Sequence, residues 1–172
     1  LGGSAIFPYV IAEGLYYASV SDAGALAPGT LPFWAALFAF LILGERPNRI
    51  KIVGLAFILV GAMFVGVWKI LNVSGTQEWK GHILFLLAAC LWAIYSVFYR
   101  KSGLSPLHGL VIGLFWGSII TLPLLFIFGD VDFADKTISE ISSMAFLQGI
   151  LIAVGALVLY SIAVREIGAA QT

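Results

Sequence analysis

The chain is 172 residues long, 61% hydrophobic and only 10% charged, with nine basic and nine acidic side chains and a mean hydropathy of +1.05. Soluble domains carry roughly 25% charged residues, so this composition excludes an ordinary soluble fold and places the chain in a membrane. The zero net charge is divided into short clusters between long uncharged runs, no basic run suits nucleic acid, and the single cysteine, Cys90, excludes an internal disulfide.

A bilayer core about 30 Å thick takes about 20 residues of helix, because lipid offers no partner to an unpaired backbone group. Six segments approach that length. The first, Leu1 to Val20, has neither the basic flank nor the cleavage site of a signal peptide, and it holds one carboxylate, Glu13, inside the aromatic run "FPYVIAEGLYYAS". A turn is expected at "SDAG". The second segment, Ala23 to Leu43, contains Pro32 and Trp34. In "GERPNRIK", Gly44 can end that helix, Pro47 cannot continue it, and Asn48 can cap the next. Arg49 and Lys51 reach the headgroups, while Glu45 reads as a structural residue paired to a nearby arginine.

The third segment, Ile52 to Trp68, places Gly54 and Gly61 on one face. After "KILNVSGTQEWK" comes the fourth, Gly81 to Tyr99, with Trp92, Tyr95 and Tyr99 along one face. The fifth, Leu107 to Phe128, carries Gly109, Gly113 and Gly117 at helical spacing and an internal Pro123; the sixth, Met144 to Val164, carries Tyr160. The glycines read as close-packing positions between helices. Tyr99 beside Arg100 and Trp68 beside Lys69 suit the interfacial aromatic belt.

Short-loop basic residues stay on the cytoplasmic side. Arg46, Arg49, Lys51, Arg100, Lys101 and Arg165 fall on one set of connectors, and Lys69, Lys80 and Lys136 fall on the other with most of the acidic residues. The first set is expected in the cytoplasm, which makes the first and sixth segments run in opposite directions.

An internal repeat agrees with that orientation. "GLYYASVSDAGAL" aligns without gaps to "VLYSIAVREIGAA", pairing Leu15 with Leu159, Tyr16 with Tyr160, Val20 with Val164, Asp22 with Glu166 and Gly24 with Gly168. Two copies five helices apart are inverted in the membrane, as in many secondary transporters. The chain ends where a copy of "APGTLPFWAALFAF" should follow, so it is expected to be an internal piece of a longer protein.

"LPFWAALFAFLILGERPNRIKIVGLAFILVGAMFVG", with Pro32, Leu43, Gly44, Glu45, Gly54 and Gly61, resembles the end of an EamA-type repeat of the drug/metabolite transporter superfamily. "EWKGHILFLLAACLWAIYSVFYRK", with Gly81, Ala88, Ala89, Trp92 and Arg100, resembles the opening of the second repeat. The resemblance implies an all-α membrane protein of six transmembrane helices, the third to eighth of a ten-helix, 5+5 inverted-repeat bundle. Residues 1–71 would then end the first repeat, 72–80 form an external loop, and 81–172 begin the second. It further implies a multi-pass protein of the cytoplasmic (inner) membrane that moves a small-molecule substrate by alternating access. Proton coupling and a homodimer are compatible with it.

Chemistry-bearing residues fit that picture better than catalysis. An ionised carboxylate in hydrocarbon costs about 2.5–3.5 kcal/mol on insertion scales, so Glu13 is expected inside the bundle with Tyr9 and Tyr16 on its face. Trp34, Trp92, Tyr95 and Tyr160 join them as candidate substrate-binding residues. Every Asp is expected in a connector, His82 and His108 fall at helix starts, and no His-Glu-x-x-His pattern occurs. No enzyme activity, metal or cofactor is expected. A non-transporting helical scaffold or sensor is the alternative, and it would fill a central cavity with Leu and Phe. A channel is disfavoured because no charged ring or filter-like loop is present.

Overall fold

The computed structural model describes residues 6–72, 77–128 and 137–167, and no strand occurs among the described residues. The helices are α1 (Phe7–Leu15), α2 (Val20–Phe38, extended by the wider π-wound turn Ala39–Leu43), α3 (Arg49–Asn72), α4 (Glu78–Ser102), α5 (Pro106–Phe128), α6 (Ile138–Met144) and α7 (Leu157–Glu166). The π-wound stretch Ala145–Ala156 joins α6 to α7. Among the described residues, five helical stretches are long and apolar enough to cross a bilayer: Val20–Leu43, Arg49–Gly66, Glu78–Ser102, Leu107–Leu124 and Ile138–Glu166. They correspond to the second to sixth expected segments.

The first segment differs from expectation. Its described helix, α1, has nine residues, too few to span hydrocarbon, and residues 1–5 of the expected span lie outside the described residues. The break also falls earlier than "SDAG". Ser19 is extended and its hydroxyl accepts the Asp22 N–H at 3.2 Å, so Ser19 caps α2. Asp22 and Gly24 are consequently helical, and Asp22 occupies the first turn, where the helix dipole favours a carboxylate. The expectation that every Asp is in a connector therefore fails at Asp22. The two repeat copies also differ locally, since α1 ends at Leu15 and leaves Tyr16 outside it, whereas Tyr160 is within α7. Gly168 and the last aligned positions lie outside the described residues.

The other boundaries follow their residues. Gly44 closes the π-wound turn at φ +72°, a left-handed conformation that glycine adopts without Cβ strain. Asn48 Oδ1 accepts the Lys51 N–H at 2.8 Å and starts α3. Thr137 and Glu140 form a reciprocal capping box at the start of α6.

α2 packs most extensively against α4. Ala23, Ala27, Ala35, Ala36 and Ala39 on α2, and Ala88, Ala89 and Ala93 on α4, are all buried, so small side chains bring the two backbones together. One apolar cluster gathers Ala18, Ala23, Leu26, Ala27 and Phe85; a second gathers Ala39, Val97, Tyr99 and Val164. Asp22 pairs with His82 at one end of the α2–α4 contact, and Glu45 pairs with Arg100 at the other. The two helices therefore run in the same direction. The His82-to-Arg100 stretch covers about 27 Å at 1.5 Å per residue, close to a bilayer core, so both polar pairs fall near its edges. The arginine partner of Glu45 comes from α4, not from the connector that holds Glu45.

Gly81 and Gly14 allow α4 to approach the end of α1: a Cβ on Gly81 would lie 2.8 Å from the Gly14 carbonyl oxygen. Gly109 packs against the Tyr99 ring, and Gly113 and Gly117 are buried. Gly54 and Gly61 differ, because both are exposed with open space where a Cβ would project. They pack against no described residue, and the exposed Phe57, Met63 and Phe64 of the same helix present an apolar face suited to lipid or another helix.

Candidate functional site

The candidate site is built mainly by α4 and α7. Trp92 of α4 is its hub, with ring centroids 4.8 Å from Phe7 of α1, 5.4 Å from Tyr160 of α7 and 5.8 Å from Tyr95. Tyr95 stacks on Tyr99 one turn further along, at 6.1 Å. Tilted and edge-on geometries of this kind satisfy the ring quadrupoles.

The polar tips of these rings are arranged crosswise. A Tyr-Ser pair occurs twice, Tyr95-Ser96 in α4 and Tyr160-Ser161 in α7. The Tyr160 and Ser96 hydroxyls are 2.6 Å apart. Ser96 also donates to the Trp92 carbonyl at 2.8 Å, so its single proton is engaged and Tyr160 is the donor in their bond. The reciprocal pair, Tyr95 with Ser161, is looser. Tyr95 and Ser161 are neighbours, but neither hydroxyl meets hydrogen-bond geometry with a described residue, although both are buried. The buried Tyr99 hydroxyl and Trp34 Nε1 likewise have no hydrogen-bond partner among the described residues. Each such group costs about 1–3 kcal/mol if left dry, so the site favours water or a solute with neutral hydrogen-bonding groups.

A groove of about 320 Å³ adjoins this cluster between α4 and α5, lined by Tyr95, Phe98, Tyr99, Ser102, Gly109 and Gly113. That volume is at the lower end of small-molecule pockets, roughly 300–1,000 Å³.

Of the residues expected to bind substrate, Trp92, Tyr95 and Tyr160 come together. Trp34 belongs to a separate aromatic group, 5.3 Å from Phe33 and 6.4 Å from Phe38. The Glu13 side chain is half-buried, and no side-chain hydrogen bond or ion pair joins its carboxylate to a described residue. Tyr9 and Tyr16 are 52% and 84% exposed, and Tyr16 lies past the end of α1. The structure therefore does not join Glu13, Tyr9 and Tyr16 to the α4–α7 cluster. Phe7, Ser96 and Ser161 are members that the sequence reading passed over; the recurrence of Tyr-Ser in two apolar segments was the available signal. The Trp68 and Lys69 side chains, assigned to the interfacial belt, lie outside the described residues.

Five apolar crossings and a site made of neutral side chains between them define a multi-pass membrane protein. The chain belongs to the EamA-like transporter family, whose pattern it matches over residues 1–67 and 79–172. It is 34% identical over 97 residues to the uncharacterized transporter YcxC of Bacillus subtilis, covering 56% of this chain and 30% of that protein. It is 28% identical over 119 residues to the uncharacterized transporter YoaV of the same organism, covering 68% and 40%. An uncharacterized transporter of Clostridium kluyveri is 29% identical over 137 residues, covering 77% and 43%. The chain thus spans less than half the length of these relatives. No solved structure matches it significantly.

Proposed function

We propose that this chain is part of a secondary transporter that moves a small metabolite or drug-like solute across the cytoplasmic membrane by alternating access. In this reading it supplies six helices of a ten-helix, 5+5 inverted-repeat bundle, with 1–71 closing the first repeat and 81–172 opening the second. The observation that carries the proposal is the crossed Tyr-Ser arrangement. One pair, Tyr160 with Ser96, ties α4 to α7, while the neighbouring Tyr95 and Ser161 hydroxyls, buried and short of full hydrogen-bond geometry with each other, can turn to a solute. A scaffold would place Leu or Phe at those positions. The rings of Trp92, Tyr95 and Tyr160 supply flat apolar faces, and the cluster carries no formal charge, so it suits an uncharged or amphipathic group. Glu13 has a separate role in this reading, taking up a proton or a cationic group in a water-filled path.

The test is expression of the full-length reading frame in a bacterial host, followed by paired import and export screens of metabolites. The proposal expects at least one solute to move faster than in cells without the gene, with Tyr160→Phe and Tyr95→Phe changing its apparent KM. Glu13→Gln should alter the pH dependence of transport while leaving expression intact. Absence of any flux difference across the screen would favour a scaffold or sensor.

A further inference from the structure

The geometry points to a divalent transition-metal site at the end of the bundle opposite Glu45 and Arg100, formed by Asp22 of α2 with Glu78 and His82 of α4. One ligand-capable atom from each lies within 4.8 Å of the others. Glu78 and His82 are separated by four positions on α4, so they share one helix face, and Asp22 reaches them from the first turn of α2.

Three observations distinguish this group from an ordinary polar contact. First, Asp22 and His82 are 6% and 5% exposed, so the imidazole and a carboxylate are removed from bulk solvent together. Second, neither ring nitrogen of His82 makes a hydrogen bond within the described residues, although the side chain is nine-tenths buried. Third, His82 Nε2 is 3.4 Å from Asp22 Oδ2, longer than a good charge-assisted hydrogen bond of about 2.7–2.9 Å. Two ligands at about 2.0–2.1 Å from a tetrahedral zinc ion are separated by about 3.3–3.4 Å, the edge of the tetrahedron. The His82–Asp22 spacing matches one such edge, and the three ligand atoms all lie within 4.8 Å of one another.

Neighbouring groups leave the arrangement intact. Lys80 donates to Gln77 at 2.8 Å and lies over the Tyr17 and Trp79 rings. Asp22 and Glu78 each take part in further interactions of their own. One imidazole and two carboxylates suit Zn²⁺, Mn²⁺ or Fe²⁺ better than Ca²⁺ or Mg²⁺, which favour sites made of oxygen atoms. Three protein ligands leave a fourth position for water. An ion there would join α2 to α4 at the end remote from the Glu45–Arg100 pair.

The experiment titrates the purified full-length protein, freed of metal with a chelator, with Co²⁺ as the probe and Zn²⁺ as competitor. Saturable binding at one equivalent is expected, with ligand-field bands of a low-symmetry site that Zn²⁺ abolishes. Asp22→Asn and His82→Gln should each weaken binding at least about tenfold. Glu78→Gln, at a less buried position, keeps the test informative if the other variants fold poorly, and it should weaken binding as well. His108→Ala is the control: His108 is exposed and contacts Ser105, so its loss should leave binding unchanged. Absence of saturable binding by the native protein would overturn the inference and leave a metal-free His–Asp pair. Binding lost in His108→Ala but retained in the other three variants would overturn it equally. Neither readout depends on transport.

Discussion

Gly81→Ala tests the packing that holds α1 against α4. A Cβ at position 81 would lie 2.5 Å from the Ala18 Cβ, 2.8 Å from the Gly14 carbonyl oxygen and 3.0 Å from the Ala18 nitrogen, whereas carbon atoms in good contact are about 3.5–4.0 Å apart. Two of those three atoms are backbone and cannot rotate away. The helices must separate by about 1 Å, loosening the contact shared by Ala18 and the fully buried Phe85. Overpacking of this kind costs about 1–3 kcal/mol. Alanine also gains about 0.8–1.0 kcal/mol over glycine in a helix interior, which would mask part of the loss. Gly54→Ala supplies the correction, because nothing lies within 4 Å of its added Cβ. The difference between the two variants isolates the clash. It should appear as a midpoint for Gly81→Ala roughly 2–10 °C below that of Gly54→Ala in thermal unfolding of the detergent-solubilised protein, followed by tryptophan fluorescence. Equal midpoints would refute the close approach of α4 to Gly14 and Ala18.

Further expectations concern the cores, the crossed pairs and the loops. Phe85→Ala, which empties a fully buried ring position, should destabilise by about 3–5 kcal/mol, read in the same unfolding assay; a loss below 1 kcal/mol would contradict its place in the core. A double-mutant cycle of Tyr160→Phe with Ser96→Ala should give a coupling of about 0.6–1.7 kcal/mol, and zero coupling would remove the bond between α4 and α7. The Glu45–Arg100 side chains are 43% and 31% exposed, so Arg100→Gln should cost less than about 1 kcal/mol and lose its effect at high salt. Single cysteines in the Arg46–Lys51 turn or the Arg100–Pro106 loop should resist impermeant thiol reagents in intact cells; labelling from outside would reverse the orientation.

The long apolar runs were legible because hydropathy over about 20 residues reports burial in lipid directly. The "GERPNRIK" turn was legible because Gly44 and Asn48 act locally, one by its φ and the other by its side chain. What failed depended on competition or distance. "SDAG" contains good turn residues, yet Ser19 captures the Asp22 N–H and draws the start of α2 upstream. The glycine faces were read uniformly, but Gly109 meets Tyr99 while Gly54 and Gly61 meet open space, and only the neighbouring helices decide that. The alanine rows of α2 and α4, which carry the principal helix contact, look like generic apolar sequence until the two are paired. Asp22 and His82 are distant in sequence, so nothing local brings them together. Trp92, Tyr95 and Tyr160 were singled out by residue type, whereas Ser96 and Ser161 were marked only by the repeated Tyr-Ser pair, whose meaning depended on α7 lying beside α4.

The central proposal is that the cluster around Tyr95, Tyr160 and Ser161 is a hydrated solute site reached in turn from both faces of the membrane. Scanning accessibility of a single cysteine tests it most directly. Ser161→Cys is made in the full-length protein with Cys90→Ser and any other native cysteine also replaced by Ser, and a small impermeant thiol reagent is applied to sealed vesicles of each orientation. The account predicts labelling from both faces, with each face slowed by conditions that favour opening to the other. A cysteine at position 161 that stays unreactive from both faces, in a protein that folds normally and keeps its other loops accessible, would contradict it and mark the cluster as a packed core.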